Sequence, residues 1–203
     1  MADRRSALEG TAKPVAGTLS VTPGIAIAEK TCRELVQVAS WPNTLGEAGA
    51  ALGRLSGLGV PMRTGTTASD SGLAILCVGP GRWWLAGPRG LHERLRQAVA
   101  IEVSALTDLG HAYTIIRVSG PRVLDLMAKG PAIDFENGFA PGSVARSTIH
   151  HMGVTIFRPS IDCFELFVYR GFARSLWHWA IDSAEEFGLR VEETGEYEGM
   201  PQS

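Results

Sequence analysis

The sequence predicts an α+β fold in which a β-α-β-β-α-β order of elements occurs twice, as a duplicated layer sandwich. Between residues 34 and 192, short apolar runs of strand length alternate with stretches whose apolar residues recur at helical spacing. The order of elements in the first half then recurs in the second half. No sequence identity between the halves supports the duplication, so the order of elements alone carries this prediction.

The first half is predicted to contain four strands and two helices. Thr44, followed three residues later by Glu47, predicts a capping box at the start of an Ala- and Leu-rich helix. A polar loop is expected over residues 61–71, and Gly79-Pro80-Gly81 predicts a tight hairpin turn. A second helix is expected after Gly87-Pro88. The four strands are expected at Glu34–Ala39, Leu73–Val78, Trp83–Ala86 and Val103–Leu106.

The second half is predicted to begin with a strand and a short helix that starts at Gly120-Pro121 and ends at Gly130. Pro suits the first helical turn, where its missing N–H costs no hydrogen bond, and Gly just past the end can adopt a left-handed conformation. A long helix over Phe172–Phe187 has an apolar arc wider than one sheet requires. The strands are expected at Tyr113–Ser119, Val144–His150, Val154–Arg158, Cys163–Tyr169 and Leu189–Glu192.

Residues 1–30 are small and polar and are interrupted by Pro14, Pro23 and three glycines. They are expected to form an extended arm without its own core, either disordered or laid on a partner. Residues 31–193 are predicted to form a single duplicated domain, with halves at 31–107 and 108–193, and residues 194–203 are predicted to form a tail.

The composition limits the classes of function. The formal charge is -2 and no basic stripe is present, so nucleic acid is not expected as a partner. No apolar stretch approaches the ~18 residues of a membrane helix, and the N-terminus lacks the apolar region of a secretory signal. Cys32, Cys77 and Cys163 form no CxxC pair and are expected to be buried thiols in a reducing cytoplasm. Only 20% of the residues are charged, which favours a surface partly covered by another protein.

Two groups of residues offer catalytic or metal-binding chemistry. His111 and Asp108 could form a general-base pair, but no Ser or Cys nucleophile lies in a recognisable elbow, so Asp108 is expected to fix the loop instead. The pair His150-His151 suggests a metal site. Adjacent strand residues point to opposite faces, however, and Asp162 and Glu165 lack a metal-ligand spacing. We therefore expect no metal site.

Three glycine-rich loops resemble anion-binding loops in composition. Gly79-Pro80-Gly81-Arg82 lies between strands, whereas Gly87-Pro88-Arg89-Gly90 and Gly120-Pro121-Arg122 begin helices, where an anion can bind. Pro removes one of the donors that such a site uses, so a turn is expected at all three loops. No dinucleotide fingerprint is present, and neither NAD nor FAD is expected in this chain.

The tryptophans are candidates either for the core or for contact with another protein. Trp83 and Trp84 point to opposite faces of a predicted strand, and Trp177 and Trp179 flank the apolar stripe of the last helix. Aromatic residues are enriched at the centres of protein interfaces. These four residues therefore form the candidate subunit interface.

Four segments carry a resemblance to a known family. They read GPGRWWLAGP (79–88), DLGHAYTIIRVSGPRVLDLMAKG (108–130), APGSVARSTIHHMGVTIFR (140–158) and FELFVYRGFARSLWHWAIDSAEEFG (164–188). With these segments the chain, from about residue 30 to 190, resembles the gamma subunit of heterotetrameric sarcosine oxidase. Such proteins are similar in fold to the folate-binding region of aminomethyltransferase.

The resemblance implies a role within an oxidoreductase complex. That complex oxidatively demethylates sarcosine to glycine, producing hydrogen peroxide and either 5,10-methylenetetrahydrofolate or formaldehyde. Its alpha, beta and delta subunits are expected to carry FAD, FMN, NAD, tetrahydrofolate and zinc. The resemblance implies no catalytic, cofactor-binding or metal-binding residue in this chain, which would be an accessory subunit. The alternative is a stand-alone folate-binding protein of one-carbon transfer.

Overall fold

The computed structural model describes residues 6–11, 23–31, 34–70 and 72–197. These residues form a mixed α+β structure that consists mostly of sheet. The strands are β1 (Ile25–Thr31), β2 (Glu34–Ser40), β3 (Thr67–Ser69), β4 (Ala74–Gly79), β5 (Arg82–Gly87), β6 (Ser104–Asp108), β7 (Tyr113–Ser119), β8 (Ser143–Ile149), β9 (Met152–Ser160), β10 (Cys163–Tyr169), β11 (Leu189–Val191) and β12 (Gly195–Glu196). The helices are α1 (Leu45–Ser56), α2 (Leu91–Ala98), α3 (Val123–Ala128) and α4 (Ala173–Ala184), with single 3-10 turns at Arg170–Phe172 and Glu185–Phe187.

The chain divides into two compact units. The larger unit comprises the described parts of Met1–Thr31 together with His111–Pro141 and Arg146–Glu196, and the smaller unit is built mainly from the described parts of Cys32–Gly110. The chain passes between units near the boundary predicted at residues 107 and 108. The single duplicated domain over residues 31–193 stays a prediction.

The two sheets share an order of connections. The smaller sheet has the order β3-β4-β5-β2-β6, and the larger has the order β8-β9-β10-β7-β1-β11, with β12 also paired to β1. The two orders correspond strand for strand when β1 is left out. This agrees with the predicted repeat, although each half has three strands between its two helices where the predicted β-α-β-β-α-β order has two. The duplicated layer sandwich itself stays a prediction.

The core of the smaller unit lies where α1 and α2 meet the sheet. Strand β5 pairs antiparallel with β2 and with β4, which confirms the predicted hairpin around Gly79-Pro80-Gly81. Alternate strand residues and the apolar faces of both helices form the core, as period-2 and period-3.6 patterns require. Its members include Val36, Val38, Leu52, Ile75, Trp83, Leu85, Leu91 and Leu95.

Two local predictions for this unit are wrong. The hydroxyl of Thr44 does not cap α1, because it donates to the carbonyl of Val103 at 2.6 Å, and no capping box forms. The polar loop predicted over residues 61–71 contains β3, which pairs antiparallel with β4. A three-residue polar strand is too short to show a period in the sequence.

The predicted N-terminal arm ends in a strand of the larger sheet. Strand β1 pairs antiparallel with β7 and parallel with β11, so Ile25–Lys30 are sheet residues and not part of an extended arm. The strand was not predicted because the apolar run IAIA is short and follows residues rich in Pro and Gly, which are typical of an extended segment. The remaining arm prediction, except residues 6–11 and 23–24, lies outside the described residues.

Residues 6–11 are bound to the chain's own larger unit. The side chain of Glu29 in β1 is fully buried and accepts hydrogen bonds from the Ser6 hydroxyl and from the Ala7 amide, the latter at 3.0 Å. Thr114 Oγ1 donates to the same carboxylate at 2.9 Å. Arg174 Nε of α4 donates to Thr11 Oγ1 at 3.1 Å. Residues 6–11 thus contact β1 and α4 of their own chain.

Gly130 allows α4 to pack closely against the end of α3. The sequence predicted a left-handed Gly130, but it is absent from the described glycines with positive φ. A Cβ atom there would lie 2.6 Å from the Trp179 ring. The position therefore needs a residue without a side chain because the indole occupies that space.

A buried ion pair lies on the larger sheet. Arg117 in β7 and Glu165 in β10 are directly opposite each other, and the Arg117 Nη2 to Glu165 Oε1 distance is 2.6 Å. The Glu165 side chain is 0% exposed and that of Arg117 is 17% exposed. Removing one member of such a pair leaves the other charge in a poorly solvated position.

Gly120 is constrained both by its φ angle and by space. Its φ is +125°, and a Cβ atom would lie 2.4 Å from the carbonyl oxygen of Gly24. We predict that Gly120→Ala lowers the free energy of unfolding by about 2–4 kcal/mol. Gly171→Ala is the matched control, because a Cβ atom at Gly171 would have no other atom within 4 Å. Denaturant unfolding measures both, and equal stability of the two variants would contradict the prediction.

The ion pair gives a second prediction. Arg117→Met is expected to lower the free energy of unfolding by about 3 kcal/mol, because the buried Glu165 carboxylate loses the positive charge opposite it. Arg190→Met serves as the control, since the exposed pair of Arg190 with Glu192 is worth about 0–1 kcal/mol. The same unfolding measurement compares them. A cost for Arg117→Met as small as that of the control would show that the buried pair is not needed.

Candidate functional site

The four tryptophans of the candidate subunit interface lie inside the chain. Their exposed fractions are 0% for Trp83, 2% for Trp84, 0% for Trp177 and 8% for Trp179. The indole N–H of Trp83 donates to the carbonyl of Pro61 at 2.7 Å, and that of Trp84 donates to Gln37 Oε1 at 3.2 Å. Core packing therefore accounts for these residues, and their contact with another protein stays a prediction.

A different tryptophan is exposed. Trp41 is 45% exposed, and its indole N–H donates to the carbonyl of Ile101 at 2.9 Å. Leu45 and Ile101 are also exposed. Sequence reasoning passed over Trp41 because it precedes Pro42 in a short loop and belongs to no periodic stripe, which is the signal that was sought.

Asp108 and His111, the candidate general-base pair, do not form a catalytic site in the structure. Asp108 Oδ1 accepts a hydrogen bond from the amide of Gly110 at 2.8 Å, which confirms the expected loop-fixing role. His111 is exposed. The structure does not give these residues a shared site.

The two adjacent histidines lie in a turn and not in a strand. His150 has a φ of 51°, and the turn places both His150 and His151 on the border of one open groove, with His178 and Asp182 of α4. The expectation that they point to opposite faces is therefore wrong, because a turn does not alternate as a strand does. Among the described residues, no group of three or more His, Cys, Asp or Glu side chains has metal-binding geometry.

The chain's own groups occupy the candidate anion loops. The backbone N–H groups of Gly90 and His92, at the start of α2, donate to the Glu34 carboxylate at 2.8 and 2.6 Å. At the start of α3, the amide of Gly120 donates to the carbonyl of Asp162 at 2.9 Å, and that of Arg122 to the carbonyl of Gly24 at 3.1 Å. These contacts leave neither loop open for a nucleotide phosphate in the way that a dinucleotide fingerprint does.

The hairpin loop at Gly79-Pro80-Gly81-Arg82 is a turn, as predicted. Gly81 has a φ of +60°, and its carbonyl accepts a hydrogen bond from the Ser40 amide at 2.8 Å. A Cβ atom at Gly81 would lie 2.4 Å from the hydroxyl oxygen of Ser40. The glycine therefore serves the hairpin and its contact with β2.

One small cavity lies on the larger sheet. It has a volume of about 260 Å³ and is lined by Tyr113, Arg146, Ser147, Thr148, Gly153, Val154, Thr155 and Tyr169. The rings of Tyr113 and Tyr169 are 4.3 Å apart between centroids. Burial raises the pKa of Tyr113, and the hydrogen bond with Tyr169 acts in the same direction, so Tyr113 keeps its hydroxyl proton at neutral pH.

The described cysteines are inert in character. Cys77 and Cys163 are free and buried. Burial raises the pKa of the Cys163 thiol to about 12, and the nearby Glu165 carboxylate acts in the same direction. A protonated thiol is a poor nucleophile and metal ligand. Cys32 lies outside the described residues.

Helix length bears on the membrane question. In the described part of the chain, every helix is too short or too polar to cross a bilayer.

Known structures share this fold. A chain of the heterotetrameric sarcosine oxidase from Corynebacterium sp. U-96, solved in complex with pyrrole 2-carboxylate, superimposes with a TM-score of 0.80 at 24% identity. The match covers 91% of this chain and 96% of that chain. Aminomethyltransferase T of the glycine cleavage system from Bartonella henselae matches with a TM-score of 0.62 at 16% identity. That match covers 85% of this chain but only 48% of the transferase.

The sequence itself identifies the family. No curated protein sequence matches the chain. The family model for the sarcosine oxidase gamma subunit matches residues 46–186, which is more than half of the chain and includes most of the segments that carried the resemblance. The chain therefore belongs to the sarcosine oxidase gamma subunit family.

Proposed function

We propose that this chain is a non-catalytic, accessory subunit of a heterotetrameric sarcosine oxidase. The observation that carries the proposal is the family match over residues 46–186. The complex oxidatively demethylates sarcosine to glycine and forms hydrogen peroxide, with 5,10-methylenetetrahydrofolate or formaldehyde as the one-carbon product. The chain's part in this is structural, through its contacts in the assembly.

The local geometry supports a role without chemistry in this chain. Candidate residues for general-base or anion chemistry form contacts within the chain, as Asp108 does with Gly110 and Glu34 does with the start of α2. The described cysteine thiols are buried. The residues at the starts of α2 and α3 do not fit a dinucleotide phosphate, so FAD, FMN and NAD belong, in this proposal, to the other subunits.

The proposed partners are the alpha, beta and delta subunits, which would also carry tetrahydrofolate and zinc. The proposed compartment is the cytoplasm, which agrees with free thiols at Cys77 and Cys163. The fold in this proposal is a duplicated β-α-β-β-α-β layer sandwich, supported by the shared strand order of the two sheets. Strand β1 is then an addition to the second copy.

The fold likeness to aminomethyltransferase T favours an alternative, a stand-alone folate-binding protein of one-carbon transfer. The chain spans about half of that enzyme's length, since the match covers 48% of it. The cavity of about 260 Å³ is smaller than the roughly 300–1,000 Å³ of sites for drug-sized ligands, which weighs against a folate there. Saturable quenching of tryptophan fluorescence by micromolar tetrahydrofolate would favour the alternative.

Co-purification tests the proposed function. The tagged chain is isolated from its native host, and the subunits and visible spectrum of the material are recorded. We expect a yellow complex of four different subunits that produces hydrogen peroxide when sarcosine is added. A colourless chain that purifies alone, and whose tryptophan fluorescence is quenched by tetrahydrofolate, would contradict the proposal and support the alternative.

The role of the buried tryptophans is tested by separating stability from assembly. We predict that Trp83→Ala lowers the free energy of unfolding by about 3–5 kcal/mol, because it empties a fully buried indole site. Trp41→Ala, at an exposed position, is expected to cost about 1 kcal/mol or less. Denaturant unfolding and co-purification are measured for both variants. A Trp83→Ala chain of unchanged stability that no longer co-purifies would assign this residue to an interface.

A further inference from the structure

The small cavity on the larger sheet has the features of a binding site for an anion. Four neighbouring strands, β7, β10, β9 and β8, contribute Tyr113, Tyr169, Thr155 and Arg146 respectively to its lining. Tyr113 and Tyr169 are opposite each other in the ladder, and Thr155 is opposite Phe167, so these three side chains share one face of the sheet. A site on paired strands is held more rigidly than a site on loops.

An exposed arginine, Arg146, supplies the positive charge of the cavity. Arg146 is the only charged residue in the lining, and among the described residues no carboxylate pairs with it. Thr155 also lines the cavity and is only 3% exposed. A threonine hydroxyl beside a guanidinium can donate a hydrogen bond to an anion that the arginine binds.

The charge and size of the cavity restrict the ligand. One guanidinium matches one negative charge, and its paired N–H groups fit the two oxygens of a carboxylate. Tyr113 and Tyr169 hydrogen-bond to each other, and their rings offer an apolar wall. A volume of about 260 Å³ lies below the roughly 300–1,000 Å³ of sites for drug-sized ligands, so the cavity suits a ligand smaller than a folate or a dinucleotide.

We propose that this cavity binds a small monocarboxylate, with its carboxylate on Arg146 and Thr155 and its apolar part against Tyr113 and Tyr169. The inference rests on the cavity alone and does not depend on the proposed function. A free carboxylate and an inorganic oxyanion share the charge that Arg146 recognises. The aromatic wall favours the carboxylate, because an organic carboxylate has an apolar part to place against it and an inorganic oxyanion has none.

Calorimetric titration of the full chain with benzoate tests the proposal, because benzoate presents one carboxylate and one ring. We expect saturable binding that acetate weakens by competition and that inorganic phosphate at equal concentration does not. Arg146→Gln should weaken binding about tenfold, the loss expected for one charge-assisted hydrogen bond. Arg96→Gln removes the same charge at an exposed position outside the cavity and should leave the affinity unchanged.

A second variant guards against an indirect effect of Arg146. Thr155→Val keeps the shape of the side chain and removes its hydroxyl, so it should weaken benzoate binding severalfold while the unfolding midpoint stays the same or rises. Three results would overturn the proposal: no saturable binding at millimolar benzoate, equal affinity of the Arg146→Gln and Arg96→Gln variants, or competition by phosphate as strong as that by acetate.

Discussion

The pairing of strand β1 on both of its edges is the constraint on which the larger unit depends. On one edge β1 pairs with β7 over five residue pairs, and on the other it pairs with β11 and β12. Among the described strands, β11 and β12 reach the rest of the sheet only through β1. The buried Glu29 carboxylate extends this link to the N-terminus, because Ser6 and Ala7 donate to it. The N-terminal segment, whose sequence predicts an extended arm, thus ends in a strand that is paired on both edges within the larger sheet.

The same internal use of polar and aromatic groups explains the accessory character proposed for the chain. Glu34 occupies the start of α2, Asp108 fixes its own loop, and Trp83 fills the core between helices and sheet. Each of these residue types has an alternative use in catalysis, anion binding or protein contact. In this chain they stabilise the fold, whereas Arg146 lies exposed at a cavity without a carboxylate in its lining.

Sequence reasoning predicted most elements and missed those that depend on distant residues. Strands β7 and β10 lie at the predicted bounds because both faces are apolar over most of their length and turn residues flank them. The role of Gly130 was misread, since only the three-dimensional packing places the Trp179 ring beside it. The cavity was not predicted, because its side chains come from four strands whose pairing register is not apparent in the sequence. Neither Arg146 nor Thr155 belongs to a motif with a spacing that could have been sought.

Hydrogen–deuterium exchange at the amides of Ile25–Thr31 tests most directly whether β1 is an integral part of the larger sheet. The structure predicts that these amides exchange as slowly as those of β7 and β10, in the chain alone as well as in any complex, because their hydrogen bonds lie within one chain. Exchange as fast as that of an unfolded segment in the isolated chain, with protection gained only when other subunits bind, would contradict this account. Residues 25–31 would then belong to an extended arm that becomes ordered only on a partner subunit.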